Sequence, residues 1–562
     1  MGLFSHRIRG RVCTVLAALL LCACATSGGT GGEPAAPVPP QASPRIDLTP
    51  PPTLRVAVAP VPGHRTQGAD LVRKVMAQTA AIPGLSGRIR ITLLQVDGPA
   101  GPSGLPPAEL VQAAGDADFL IWGHMGENGH MAASILHRYA LDPEWQAWQA
   151  AGSRPVVPVV HRLPDFVSGT PAPFVDAVLG VALLYSGQPL AAGTLLERAN
   201  EQPDLTLAER FPLVFFLSLA DLTIGTARRD GDRVDRAVAG FGGLRTLVTR
   251  ANHPELAGPV RFNRGMALAQ HPFRNGPATR EEAIRSLEEA LPFYPARQVP
   301  FLRARILHQI ATVEQQQPDD RDGYHLHRAI RAYRRALRLW DPERFPLPYR
   351  HALHNMGVCL QRLPVGDPNR NLIAAISVYR QAVAVPGLAG REELHAPTWN
   401  NMGRAFQSLP LAPGDRNLHD AVTAYTQALS WWTPERDPVQ YVAVNRQIAL
   451  AYRQMREGDR RAHALMAMVH LDKAVRQVSP TDDPVRYGMI QAERGTILAD
   501  LPGPLDPRAL LVARAAYREA LTVLTPDNLP ILYSRLVDNL REVERRLEAI
   551  QSQRNLPAAQ TP

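Results

Sequence analysis

The sequence predicts a mainly α-helical protein in which a small α/β domain precedes a long solenoid of helix pairs with a 46-residue period. Two observations predict this architecture. Small and large apolar residues recur every 46 positions from about residue 170 onward, and short alternating segments typical of strands stand before them. The chain has 562 residues, 45% of them apolar. That fraction is enough to fill packed cores, so wholesale disorder is excluded.

A column of alanines marks the second helix of each repeat. Its members lie 46 residues apart: Ala237, Ala283, Ala329, Ala375, Ala421, Ala467 and Ala513. Four residues after each alanine stands a large side chain, and seven residues after it a small one. The large residues are Phe241, Leu287, Tyr333, Tyr379, Tyr425, Leu471 and Tyr517. Positions 0, 4 and 7 share one face of a helix, so the pattern predicts close packing against a neighbouring helix.

The first helix of each pair is predicted from a second column of small residues, 18 positions upstream. Its members are Gly265, Ala311, Gly357, Gly403, Ala449 and Gly495. Polar turns such as 365–369 and 413–417 separate the two helices, and a proline follows the second helix. Residues 527–562 are predicted as a capping helix followed by a disordered tail.

These columns resemble the tetratricopeptide repeat (TPR), which has a small residue, then alanine, an aromatic residue and alanine, and then proline. The resemblance covers residues 170–552 and departs from the family in its period, which is 46 here against the usual 34. It implies a TPR-like solenoid over residues 166–526, with a concave groove lined by the first helices.

In this family the residue two positions before the small residue faces the groove. That column is nearly all carboxamide: Asn263, Gln309, Asn355, Asn401, Gln447, Glu493 and Asn539. A carboxamide both donates and accepts hydrogen bonds, so the first five predict a site for a peptide backbone. Arg404, Arg446 and Arg453 stand near them and predict acidic or carboxylate-ended segments as ligands.

A second interpretation of this amide column is structural. Ladders of amides also bond across helices and fix the spacing of stacked repeats. The same two interpretations apply to Gln315, Gln361 and Gln407, each of which lies six residues after a member of the amide column. The sequence leaves both interpretations open.

Residues 54–165 are predicted as a small α/β domain. Alternating segments predict strands at 54–59, 89–94 and 118–122, with helices at 70–81 and 106–114. Asn128-Gly129 predicts a two-residue hairpin turn into a strand at 131–139, with 124 opposite 133. This order, together with the stretch 115–123, resembles the N-terminal domain of TolB-type periplasmic proteins and implies protein contacts.

His124, Glu127 and His130 surround the predicted hairpin tip. They are interpreted as a solvated turn rather than as metal ligands, so no metal and no cofactor is expected.

Residues 1–23 are predicted to be a signal peptide, with Arg7, Arg9 and Arg11 before a short apolar stretch. The end of this segment, Leu21-Cys22-Ala23-Cys24, resembles the bacterial lipoprotein box. It implies acylation of Cys24 by palmitate-type chains, and Ala25 after it implies sorting to the outer membrane of a Gram-negative cell, facing the periplasm. An ordinary secretory signal is the alternative. Residues 24–53 are rich in Gly and Pro and predict a tether.

The functional prediction is a binding protein. The sequence contains no nucleophile elbow, no Gly-rich phosphate loop and no His-Glu-x-x-His motif, so no catalytic residue and no enzyme activity is predicted. Its net charge of +9 is spread thinly, which argues against nucleic acid as a partner. We expect a lipid-anchored scaffold or assembly factor that binds protein partners in its groove. The alternative is a regulator or activator of a periplasmic cell-wall enzyme.

Overall fold

The structure, a computed structural model, describes residues 54–59, 89–93, 113, 119–125, 131–137 and 160–166, parts of 176–184, and 188–555 except for 204, 206, 250–253, 318–321, 389–390 and 504–505. The chain forms two compact units. One extends to Leu247 and takes in His271–Phe273, and the other holds the rest of the described chain from Val248 onward. The predicted signal peptide, Cys24, the tether and the C-terminal tail lie outside the described residues.

The first unit contains a mixed sheet of five described strands. They are β1 (Leu54–Ala59), β2 (Ile89–Leu93), β3 (Phe119–Met125), β4 (Met131–His137) and β5 (Val160–Phe166). The strand order is β2-β1-β3-β4-β5; β1 is parallel to β2 and β3, and the other pairs are antiparallel. The strands predicted at 54–59, 89–94, 118–122 and 131–139 are confirmed. The predicted helices 70–81 and 106–114 lie outside the described residues, apart from Ala113, which is helical.

The β3–β4 hairpin has a different register from the predicted one. His124 lies opposite Ala132 and Met125 opposite Met131, whereas a two-residue turn would place 124 opposite 133. Five residues, 126–130, join the strands, and the loop length fixes the pairing. The prediction of a two-residue turn is therefore wrong. Glu127 and His130 lie outside the described residues.

Strand β5 is absent from the sequence prediction. It pairs with β4, and its register shifts between Leu163 and Phe166, where Pro164 interrupts the strand. Proline has no N–H to donate to a ladder, so it is tolerated on an edge strand beside a bulge. The same proline breaks the alternating pattern by which a strand is recognised in a sequence.

Helices of the repeat region join this sheet in one unit. They are α1 (Pro189–Asn200), α2 (Leu207–Arg228) and α3 (Gly231–Leu247). Helix α2 contacts β5 as well as α1 and α3, so the compact unit that holds the sheet extends to Leu247. Among the described residues, Arg210–Arg228 alone is long and apolar enough to cross a membrane, and 61% of its most apolar window is buried. Packing against neighbours therefore accounts for its apolar character.

The second unit is a stack of helix pairs that ends in a long single helix. The pairs are α4 (Pro254–Ala269) with α5 (Pro277–Ala290), α6 (Pro300–Gln315) with α7 (Tyr324–Leu337), α8 (Pro346–Arg362) with α9 (Pro368–Val383), α10 (Ala396–Ser408) with α11 (Arg416–Leu429), α12 (Pro438–Gln454) with α13 (Arg460–Val475), and α14 (Pro484–Ala499) with α15 (Pro507–Val523), followed by α16 (Pro530–Asn555). Each second helix also packs on the first helix of the next pair. This is the helix-pair solenoid that the 46-residue period predicts.

The predicted columns form the core of every pair. All seven column alanines are fully buried, and the large residues four positions later are at most 1% exposed. Three of the tyrosine rings lie over glycines of the first helix: a Cβ added to Gly403 would stand 2.7 Å from Cδ1 of Tyr425, one added to Gly495 would be equally close to Tyr517, and one added to Gly357 would be closer still to Tyr379. Burying one such ring stabilises the fold by about 2 kcal/mol.

Prolines begin most of the first helices in a column that sequence reasoning missed. Their spacing is 46 residues or a multiple of it: Pro254, Pro300, Pro346, Pro438, Pro484 and Pro530. The first helical position suits proline because its N–H would have no partner there and its φ is already helical. In α10 the proline comes second, after Ala396.

Aspartates cap five helices by accepting backbone N–H groups. They are Asp367, Asp437, Asp459, Asp483 and Asp506. Such a cap contributes about 1 kcal/mol each.

The final helix closes the stack. Leu536, Val543 and Leu547 of α16 are buried against the preceding pair, while Arg541 and Arg545 on its other side are exposed. A helix with one apolar and one charged side is suited to end a stack. The predicted capping helix is confirmed.

The glycine–tyrosine contact predicts a stability effect. Gly403→Ala places a methyl group against the Tyr425 ring, and we expect a loss of about 1–3 kcal/mol in the free energy of unfolding, measured by urea denaturation. Gly243→Ala in α3 is the control, because no heavy atom lies within 4 Å of the added Cβ. The control is expected to be neutral or slightly stabilising, since alanine favours helix; equal losses in both variants would contradict the packing argument.

Candidate functional site

The first helices of the second unit form a continuous layer, here called the first-helix face, made of α4, α6, α8, α10, α12 and α14. Successive members contact each other directly from α4 through α12. Because the 46-residue period is kept, equivalent positions recur along this layer. It carries all eight residues predicted from the sequence to line a peptide site.

The amide column divides into two parts. Asn263 and Gln309 are buried, at 0% and 8% exposure. Asn355, Asn401 and Gln447 are partly exposed, and their amides take part in none of the hydrogen bonds among the described residues. The structural interpretation therefore suits the first two, and the later three have amides available for a ligand.

Three glutamines that follow the amide column make hydrogen bonds in the core. Gln315, Gln361 and Gln407 each accept a hydrogen bond from the tyrosine hydroxyl of their own pair, at 3.0, 3.1 and 2.8 Å. The donors Tyr333 and Tyr379 are fully buried, so these amides satisfy hydroxyl groups that would otherwise lack a partner. For these three residues the structural interpretation is the one the geometry supports.

The three predicted arginines differ in what they contact. Arg446 of α12 forms a two-point ion pair with Glu493 of α14, with N–O distances of 3.1 and 2.5 Å. Arg404 and Arg453 are exposed, and neither has an ion-pair partner among the described residues. The last two guanidinium groups are thus open to an anionic ligand.

A cleft of about 160 Å³ lies between α12 and α14. Arg446, Gln447, Leu450, Arg453 and Glu493 line it. It combines cations, a carboxamide and the exposed leucine, which suits a polar backbone carrying one small apolar side chain. Three of the eight predicted residues meet here.

The charge of the first-helix face is one-sided in the middle of the stack. Helices α8, α10 and α12 contain no Asp or Glu. They contain five arginines: Arg350, Arg362, Arg404, Arg446 and Arg453. An acid-free stretch of three helices attracts anionic segments and disfavours cationic ones.

Histidine adds little to this positive charge near neutral pH. His354 of α8 is buried, and its Nδ1 lies 2.9 Å from Oγ1 of Thr398 in α10. Burial, assisted by the charge of Arg350, lowers the pKa of His354 to about 3. Its imidazole is therefore neutral at pH 7 and links neighbouring pairs.

Other side chains that could take part in chemistry make contacts within the fold. No group of three His, Cys, Asp or Glu in the described part of the chain is placed to hold a metal ion. The Cys359 thiol is buried and donates to Oε1 of Gln315 at 3.3 Å. Trp431 lies beneath the guanidinium of Arg436. Asp319 and Asp320 lie outside the described residues.

No family model and no curated protein matches the sequence. The chain is similar in fold to the apo form of RapI, with 11% identity and a TM-score of 0.43 over 67% of this chain and 98% of RapI. It is also similar to the apo form of the quorum sensor NprR from B. thuringiensis, with 13% identity and a TM-score of 0.36 over 68% and 98%. The TPR domain of P58(IPK) gives 14% identity and 0.20 over 67% and 99%. With scores this low, the fold assignment rests on the helix pairs of this chain.

The division of the amides predicts two different mutational outcomes. Asn355→Ala combined with Asn401→Ala should change the free energy of unfolding by less than about 0.5 kcal/mol, because no hydrogen bond is lost. Gln407→Ala should cost about 1–2 kcal/mol, because the buried hydroxyl of Tyr425 loses its acceptor. Thermal and urea denaturation measure both. A clear destabilisation of the double variant would show that the exposed amides hold the repeats together.

Proposed function

We propose that this protein is an interaction scaffold whose first-helix face binds extended, acidic peptide segments. The observation that carries the proposal is the acid-free surface of α8, α10 and α12, which presents unpaired amides beside Arg404 and Arg453. Backbone groups of a peptide find donors and acceptors in the amides, and its carboxylates find guanidinium groups.

The spacing of the amides suits an extended chain. Packed helices lie about 8–10 Å apart, and an extended peptide advances about 3.3 Å per residue. Each amide of Asn355, Asn401 and Gln447 therefore meets the peptide about every third residue. Side chains between these points are free to vary, which allows one face to accept several partners.

The proposed binding surface ends at the cleft between α12 and α14. Glu493 occupies the next position of the amide column and neutralises Arg446. An acidic side chain is repelled there unless it displaces Glu493, whereas Arg453 remains available about two turns after Arg446 on α12. Acidic residues of the ligand accordingly belong over α10 and α12, with an apolar residue beside Leu450.

The proposed location is the periplasmic side of the outer membrane, with Cys24 carrying the lipid. What supports it is the sequence alone: the box that ends at Cys24, Ala25 after it, and the Gly- and Pro-rich segment to residue 53. A tether of this composition lets the helix pairs collect partners at a distance from the bilayer. The 54–165 domain is proposed as a second site of protein contact.

Site-specific crosslinking in cells tests the binding face. A photo-crosslinking residue at Asn401 or Gln447 is expected to capture defined partners, and one at Thr423, exposed on the second helix α11, is not. Charge reversal of Arg404 and Arg453 to glutamate should reduce capture about tenfold, because each removes an attraction and adds a repulsion. Equal capture from Thr423 would contradict the assignment of the face. Capture of one dominant cell-wall synthase, with turnover raised by this protein, would identify a regulator instead of a scaffold.

The lipid anchor has a separate test. Cys24→Ala removes the thiol to which the acyl chains attach, so the protein is expected to move from the membrane pellet to the soluble fraction. Cys22→Ala is the matched control and should remain in the pellet. A Cys24→Ala protein that stays in the membrane fraction would contradict lipidation.

A further inference from the structure

An exposed apolar patch covers two second helices near the C-terminal end of the stack. It consists of Leu465, Met466 and Val469 on α13 with Leu511 and Val512 on α15, each between 41% and 47% exposed. Positions 465, 466 and 469 share one face of α13, and 511 and 512 repeat the first two after 46 residues. We refer to these five residues as the outer patch.

The N-terminal ends of α13 and α15 are joined by side-chain contacts. Arg461, at the start of α13, donates to the carbonyl of Pro502 at 3.0 Å and lies 3.4 Å from the carboxylate of Asp506, which caps α15. Both helices therefore begin side by side, with the apolar residues of each one turn later. Exposed apolar side chains at repeated positions on two such neighbouring helices mark an interaction site.

Repeat packing does not require these side chains. The equivalent positions of α11 are His419, Asp420 and Thr423, and those of α9 are Ile373, Ala374 and Ser377, so neither helix repeats the set of large apolar side chains. The outer patch is thus specific to α13 and α15. It also lies on second helices, whereas the proposed peptide site is built from first helices.

Cations border the outer patch. Lys473 follows it on α13, Arg476 stands directly after the end of that helix, and Arg508 precedes it on α15. All three are exposed and have no ion-pair partner among the described residues. The acids of these helices are engaged elsewhere: Asp472 pairs with Arg494 at 2.8 Å, and Glu519 accepts from the Tyr487 hydroxyl at 2.9 Å.

We propose that the outer patch docks on the surface of a membrane containing anionic lipids. Leucine, methionine and valine side chains enter the boundary between headgroups and acyl chains, while Lys and Arg extend to the phosphates. The patch contains no aromatic side chain, although aromatic anchors are typical of protein interfaces. A basic rim also repels a second copy of the same surface.

Vesicle binding by a chain that cannot be lipidated tests the proposal without depending on the anchor. The mature protein with Cys24→Ala is mixed with vesicles of three parts phosphatidylethanolamine to one part phosphatidylglycerol and sedimented. Leu465→Glu with Leu511→Glu should lower the bound fraction about fivefold or more, because charge enters the apolar layer. Ile373→Glu with Thr423→Glu adds two acids to exposed positions outside the patch and should reduce binding much less.

Two further measurements distinguish membrane docking from the alternatives. Added salt and vesicles of neutral phosphatidylcholine should each weaken binding, since the rim acts through charge. The fluorescence that a Met466→Trp variant adds to the spectrum of the unchanged chain, which has seven tryptophans of its own, should shift to the blue when vesicles are added. An unshifted emission, or equal binding by the two double variants, would overturn the proposal. A dimer that Leu465→Glu dissociates, with vesicle binding unchanged, would assign the patch to a second copy.

Discussion

The structure depends on one contact, repeated in every pair: a large side chain of the second helix seated on a small residue of the first. A tyrosine ring over glycine, as with Tyr425 and Gly403, allows the two helices to approach closely. The alanines on either side of the ring let the next helix pack equally near. Because the contact uses the same positions in each repeat, every pair stacks in the same way. The regular placement of first helices follows from it.

A second consequence concerns polar groups. A buried tyrosine brings its hydroxyl into the core, where an unpaired donor is costly. Gln315, Gln361 and Gln407 accept these hydroxyl groups, so their amides are committed to the fold. The amides at Asn355, Asn401 and Gln447 have no such task. Similar residue types six residues apart on the same helix thus have different roles.

The two sides of the helix stack differ in chemistry. First helices in the middle of the stack carry arginines and amides without acids, which suits directional binding of a polar chain. Second helices near the end carry aliphatic side chains bordered by cations, which suits a non-directional apolar medium beside negative charge. Neither surface uses the core columns, so each is free to change in sequence without loss of the fold.

The sequence by itself determined the helix pairs, their period, the buried columns, the capping helix and four of the strands. These depend on local periodicity, which a chain reveals directly. The tertiary structure decided the rest. Strand β5 is stabilised by its pairing with β4 despite Pro164, and α2 joins the sheet because it packs on β5. Contacts with residues about one repeat away decide which amides are buried and which arginine is neutralised by Glu493. They also decide which apolar residues stay exposed. A periodic pattern identifies the face of a helix, but only the packed neighbours decide whether that face is covered.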